Sequence, residues 1–318
     1  MPGLLRLRRI GNHAVAQNGY SDQVRYLASG PADIVNSFAI PVLSLLLGTC
    51  PALCAASPPL SPEQAKILDS VRASALQYTN KLPDFMCTQI THRQVSPVGT
   101  FASSLTGISG RGAVAGLADM ASSNPDLGDV IEERLTFIDQ KENYTVLTVN
   151  GRKVTGLDPM RFQGAVSAGE FGSDLRNIFD PGSATVFAWD RSGAVHGRSV
   201  YIYSFHVPAQ HGAVVFDRGS GRRVVAPYAG RIFVDTATLG VLRIEDRLDL
   251  PADFPIRDAS ITIEYKLIAI AGRSYMLPFR SELRMQDPSR QYINSIDFRN
   301  YQKFVVESTV LYGTANPH

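Results

Sequence analysis

The sequence predicts a mainly β protein: one large antiparallel sheet accompanied by a few helices. Three observations lead there. From Asp129 onward, strand-length runs rich in β-branched and aromatic residues follow one another, broken by Gly, Asp and Asn turns. In the stretch Ser274–Gln286, Arg280, Glu282, Arg284 and Gln286 fall on one face and Phe279, Leu283 and Met285 on the other. That is the alternation of a sheet with one wet and one dry side. Only two stretches, 61–82 and 167–180, carry helical spacing.

The front of the chain reads as a leader, residues 1–56. Its centre is the uncharged run Phe38-Ala-Ile-Pro-Val-Leu-Ser-Leu-Leu-Leu-Gly48. Eleven residues are too few to span a bilayer but suit the core of a secretory signal. Ala55 and Ala56 offer a small-residue cleavage site, and the basic residues Arg6, Arg8, Arg9 and Arg25 lie so far upstream that a start near residue 35 is also plausible. Removal of the leader leaves 27 basic and 27 acidic side chains, so the mature chain is neutral and has no clustered basic footprint for nucleic acid. It has no run long enough for a transmembrane span. The expected compartment is the periplasm or the exterior, and residues 57–318 form one β-rich domain.

In that domain Ser61-Pro-Glu-Gln64 is a capping box with Pro in the first helical turn. Leu68, Val71, Ala75, Tyr78 and Leu82 then recur on one helical face up to Pro83. Phe85–Val95 reads as the first strand. Residues 96–128 are rich in Ser, Gly and Ala without period, a flexible insertion. Its Gly107-Ile-Ser-Gly-Arg-Gly lacks the Lys-Ser/Thr of a phosphate loop. Asp129–Asp139 and Asn143–Asn150 form a hairpin. A second helix starts near Ser167 and Glu170, carries Phe171, Leu175, Ile178 and Phe179 on one side, and ends at Asp180-Pro-Gly182. Nine further strands follow: Ser183–Trp189, Arg198–Val207, Gly212–Arg218, Arg222–Ala226, Gly230–Asp235, Val241–Arg247, Ala259–Ile270, Ser274–Gln286 and Tyr292–Val306.

Catalytic and metal chemistry leave little trace. Cys50 and Cys54 belong to the leader, so Cys87 stands alone, more simply a small buried hydrophobe than a nucleophile. His92, His196, His206, His211 and His318 show no metal-ligand spacing. Glu132 and Glu133 are adjacent on a strand and so point to opposite faces. There is no Gly-x-Ser-x-Gly elbow and no dinucleotide fingerprint, and no motif implies a cofactor.

Two phrases and a tail carry a likeness. They are Gly197-Arg-Ser-Val-Tyr-Ile-Tyr-Ser-Phe-His-Val-Pro208, Arg231-Ile-Phe-Val-Asp-Thr-Ala-Thr-Leu-Gly-Val-Leu-Arg-Ile-Glu245, and the closing strands Leu277–Met285 and Ser295–Phe304. With the helix at 61–82, this pattern resembles the periplasmic lipoprotein carrier superfamily, the LolA/LolB-like carriers and RseB-like sensor domains, over residues 130–306. The insertion at 96–128 is foreign to that pattern. The resemblance implies an open, curved antiparallel sheet forming a half-barrel, capped by the N-terminal helix and the short second helix. It implies non-enzymatic binding of an acyl chain, a lipoprotein or another apolar ligand. The expected wall is Phe187, Trp189, Tyr201, Tyr203 and Phe205, with Phe171, Leu175 and Phe179 of the second helix as a lid. The competing expectation is a cell-envelope interaction protein with the same sheet, a filled core and a protein partner. An enzyme of unassigned class is the third.

Overall fold

The computed structural model describes residues 24–28, 59–98, 128–156, 164–166, 171–217 and 220–304. Most of the expected leader, nearly all of the 96–128 insertion, and the Ser167 and Glu170 helix start lie outside these residues. Among the described residues no helix is long and apolar enough to cross a membrane.

The capping box forms as read. Ser61 Oγ accepts from the Gln64 amide at 3.2 Å, and Gln64 Oε1 accepts from the Ser61 amide at 2.8 Å. It starts α1 (Pro62–Leu76) with two otherwise unmatched amides satisfied. The helix does not run on to residue 82 in one piece. It breaks at Gln77 and resumes as α2 (Tyr78–Lys81), where the Tyr78 hydroxyl donates to the Met276 carbonyl at 2.5 Å. A tertiary hydrogen bond thus fixes the helix end that sequence periodicity alone would have carried straight on.

Eleven strands form one open sheet, every neighbouring pair antiparallel. In chain order they are β2 (Phe85–Pro97), β3 (Val130–Ile138), β4 (Lys141–Val149), β5 (Arg152–Lys153), β7 (Val186–Val195), β8 (Arg198–Val207), β11 (Tyr228–Asp235), β12 (Val241–Leu248), β13 (Asp258–Ile270), β14 (Arg273–Gln286) and β15 (Arg290–Lys303). Their spatial order is β5-β4-β3-β2-β15-β14-β13-β12-β11-β8-β7, so among the described residues β5 and β7 are the edges and the sheet is not closed. The first long strand pairs with the last, from Phe85↔Lys303 to Pro97↔Arg290, which joins the two ends of the domain at mid-sheet. The expected 183–189 strand starts later and runs on to Val195, because it forms a hairpin with β8 through Val195↔Arg198.

Curvature has identifiable sources. Register shifts interrupt β3–β4, β7–β8, β11–β12, β13–β14 and β15–β2, and each such bulge adds local twist. At Gly230 the backbone of β12 comes so close that a Cβ would lie 1.8 Å from the Glu245 carbonyl oxygen. Only glycine permits that approach.

The concave face carries the main core. Tyr203, Phe205 and Val207 of β8, Ile232 and Val234 of β11, Ile261 and Ile263 of β13, and Leu283 and Met285 of β14 are buried there. Against them pack Leu68, Val71 and Ala75 of α1 and Leu175, Ile178 and Phe179 of α3 (Ser173–Phe179). Phe279 departs from the expected alternation. It sits at the β13–β14 bulge, where its ring meets His196 at 6.0 Å and the Lys266 ammonium at 4.7 Å. The extra residue turns the side chain away from the Leu283–Met285 face.

A smaller sheet completes the fold, in the order β10 (Arg222–Ala226), β9 (Ala213–Asp217), β1 (Val24–Ala28), β6 (Gly164–Val166). Ala213, Val215 and Ala226 belong to the main core, and β6 lies against β14 and β15. Strand β1 belongs to the expected leader. It pairs parallel with β9 through Val24↔Val214 and antiparallel with β6 through Tyr26↔Val166.

Candidate functional site

The aromatic residues of β7 and β8 come together as directly opposed cross-strand pairs, Phe187↔Phe205 and Trp189↔Tyr203. The Trp189 ring meets Tyr203 edge-on at 5.3 Å and Tyr201 at 5.8 Å. Phe179 of α3 stacks on Phe187 at 5.2 Å. The space in front of Tyr203 and Phe205 is filled. Tyr203 is fully buried and Phe205 is 2% exposed. The Tyr203 hydroxyl donates to the Gln64 carbonyl of α1 at 2.9 Å, and the Arg72 guanidinium lies over Phe187. Burial pushes the Tyr203 phenol up to about 12, so it stays a neutral donor. Tyr203 and Phe205 are thus buried core, whereas Phe187, Trp189 and Tyr201 are half-buried and pack against that core.

The expected lid residues part company. Phe171 belongs to a second cluster, tilted on Phe85 at 5.4 Å and edge-on to Phe298 at 5.1 Å. Phe179 is buried against Phe187, and Leu175 alone of the eight borders the open space described next.

That open space is a cleft of about 240 Å³ beneath the far half of the helical cap. Its roof is one helical face: Val71, Ser74, Ala75, Tyr78, Lys81 and Leu82. Its opposite side is the β11–β12 turn, through Leu239, Gly240 and Val241, and the start of β14, through Ser274, Tyr275 and Met276. Leu175 of α3 closes one end. Val71, Ala75, Leu175 and Val241 are buried, whereas Ser74, Lys81 and Ser274 are exposed at the mouth. The lining is thus apolar within and polar at the rim, the usual composition of a small-molecule pocket.

The turn that supplies Leu239–Val241 is built by Asp235. Its Oδ1 accepts from the amides of Ala237 at 3.1 Å and Thr238 at 2.8 Å, and from the Thr238 hydroxyl at 2.8 Å. Its Oδ2 accepts from Arg198 Nε at 2.7 Å. Burial works to raise this carboxyl's pKa, but the Arg198 and Thr238 hydrogen bonds outweigh it and hold the pKa below the usual range. The Asp-x-x-Thr phrase read in the sequence is therefore the mounting of the cleft's sheet-side wall.

Other features of the molecule are more fully partnered. Burial pushes the Cys87 thiol up to about 12 even though a hydrogen bond with Tyr301 works in the opposite direction, so it is no thiolate nucleophile. A second cleft of about 530 Å³ is bordered by His206, Arg231, Arg247 and Arg257. There Arg231 pairs with Glu245 at 3.1 Å, Arg247 with Asp258 at 2.7 Å, and Arg257 donates to the Ala252 carbonyl. Among the described residues no group of three or more His, Cys, Asp or Glu could hold a metal ion.

Sequence reasoning placed Val71, Ala75, Tyr78 and Leu82 on the helix's apolar face but left unseen that this face is only partly covered. Residue size carried part of the signal: Ser74, Ala75, Gly240 and Ser274 are small members of a lining that also holds Tyr78, Leu82, Leu175, Tyr275 and Met276.

No family model matches the chain, and no curated protein matches it. Solved structures with a similar fold include the LolA superfamily protein NE2245 from Nitrosomonas europaea, 9% identical, covering 75% of this chain and 94% of that chain at a TM-score of 0.35. A putative outer membrane lipoprotein-sorting protein domain from Vibrio parahaemolyticus is 8% identical, covering 74% and 90% at a TM-score of 0.29. A DUF1329 family protein from Desulfovibrio piger is 12% identical, covering 78% and 96% at a TM-score of 0.31.

Proposed function

We propose that this protein is a non-enzymatic, cell-envelope protein that binds a single acyl chain, free or carried by a lipoprotein, in the cleft beneath the second half of its helical cap. The observation that carries this reading is the contrast within one concave face: a large aromatic area is filled by α1 and α3, while an apolar volume of about 240 Å³ stays open. The leader-like run at 38–48 supports export.

Size narrows the ligand. Drug-sized ligands occupy roughly 300–1,000 Å³. At roughly 30 Å³ for a water-sized group, the cleft holds about eight such groups, one short chain or the end of a longer one. Burying about eight methylenes gains about 6 kcal/mol at ~0.8 kcal/mol each. Much of that is offset by the freedom the ligand loses on binding. The result is an exchangeable ligand, as a carrier requires.

The test is native mass spectrometry of the full chain expressed in a bacterium, with lipid extraction of the same sample. Wild type is expected to carry an acyl-sized adduct, or to acquire one from octanol. The Ser74→Trp variant, which plugs the mouth from an exposed helical position, should lose it while keeping its melting temperature. A wild-type chain that stays bare after incubation would sink the proposal and favour a filled core with a protein partner.

A further inference from the structure

Lys81 is the only charged side chain among the described residues lining the cleft. It is exposed, stands with Ser74 and Ser274 at the mouth, and has no ion-pair or hydrogen-bond partner among the described residues. Helix-end electrostatics does not account for its place. Lys81 closes α2, a helix of only four residues, in which too few peptide dipoles align to call for a cation.

Resting on the cleft reading above, we infer that the ligand is a single-chain carboxylate, a free fatty acid whose chain lies between α1–α2 and the β11–β12 turn and whose head pairs with the Lys81 ammonium. Charge selects the head group. One ammonium balances the single negative charge of a carboxylate, whereas a phosphate monoester brings nearly two and would want an Arg fork or a second cation. The Ser74 and Ser274 hydroxyls at the same mouth are donors of the kind a second carboxylate oxygen accepts from. Polarity runs the right way for an amphiphile: Val71, Ala75, Leu175 and Val241 are buried and the cation is at the rim. A lysine there also keeps its charged end in water while its stem lies along apolar surface.

The experiment is calorimetric titration of the full chain with octanoate, octanol and octyl phosphate, in wild type, Lys81→Gln and Lys81→Arg. Since the pair is solvent-exposed, the expected preference of wild type for octanoate over octanol is modest, about fivefold at low salt. It should shrink as salt rises. Lys81→Gln should lose the preference, binding octanoate and octanol alike; Lys81→Arg should retain it. Equal binding of octanoate and octanol by wild type, or a preference that survives in Lys81→Gln, overturns the carboxylate assignment and leaves the cleft standing. Tighter binding of octyl phosphate than octanoate overturns it in favour of a phosphate head. If no probe binds to any form, the cleft reading falls and this inference falls with it.

Discussion

The two halves of the helical cap meet the same sheet and end differently. At its N-terminal half α1 lies on an aromatic wall: Gln64 receives the Tyr203 hydroxyl, Leu68 enters the core, and Arg72 covers Phe187. Past Val71 the small residues Ser74, Ala75, Gly240 and Ser274 stand among Tyr78, Leu82, Leu239, Tyr275 and Met276, and a volume stays open. Helix and sheet approach at a separation their side chains set, and close packing is reached only where those side chains are bulky enough. The most deeply buried rings of the concave face, Tyr203 and Phe205, leave no open volume in front of them. They are large because they fill space. The proposed ligand space lies under the second half of the cap.

This contrast is broken most severely by a charge placed in the filled half. Phe205→Asp would put a carboxylate at a position 2% exposed between the rings of Phe187 and Tyr228. The expected cost exceeds about 4 kcal/mol, enough to leave little soluble protein at ambient temperature. Recovery of a folded Phe205→Asp chain, judged by circular dichroism and melting, would show that the wall borders a cavity after all.

The next largest effect belongs to the mounting of the open half. Asp235→Asn removes the charge that Arg198 and the 237–238 amides converge on, and should cost about 2–3 kcal/mol at neutral pH. The pH dependence has a fixed sign. The folded pKa of Asp235 lies below its unfolded value of about 3.9. Its contribution is fully present above that value and is lost as pH falls through the lowered folded pKa. Urea unfolding of wild type and Asp235→Asn should show a difference that is full at neutral pH and narrows in acid. A difference that widens in acid contradicts the assignment.

Much of the fold was legible because it rests on local patterns: the capping box at Ser61–Gln64, the period-two strands, and the Asp180-Pro-Gly182 stop, where the Asp180 carboxylate accepts from the Gly182 amide at 2.7 Å. What escaped was set by tertiary contact. The break at Gln77 follows from Tyr78 reaching Met276, and the displacement of Phe279 follows from a bulge that alternation cannot foresee. Val24–Ala28, read as part of a leader, pairs with β9 and β6, residues far away in sequence. For the site, composition identified aromatic residues correctly as neighbours, since Phe187, Trp189, Tyr201, Tyr203 and Phe205 do cluster. Periodicity reports which face a side chain takes. Whether another element already covers that face depends on the whole chain.

The smallest effect sharpens the comparison most finely. A Cβ at position 240 would lie 3.1 Å from the Met276 Cε, the flexible end of a side chain rather than backbone. Gly240 is not among the residues held at positive φ, so Gly240→Ala needs no strained conformation. It also restricts the unfolded chain. Stability should therefore change by less than about 1 kcal/mol in either direction. The added methyl points toward a cleft only about eight water-sized groups in volume, so it should still lower octanol affinity severalfold. The two readouts separate the roles: a change in the filled half lowers stability and binding together, and a change confined to the cleft lining lowers binding alone. Melting and octanol titration of Gly240→Ala beside wild type decide the matter. Unchanged affinity would mean that the ligand does not touch the β11–β12 turn, and the chain would then have to lie against α1 and Leu175 instead.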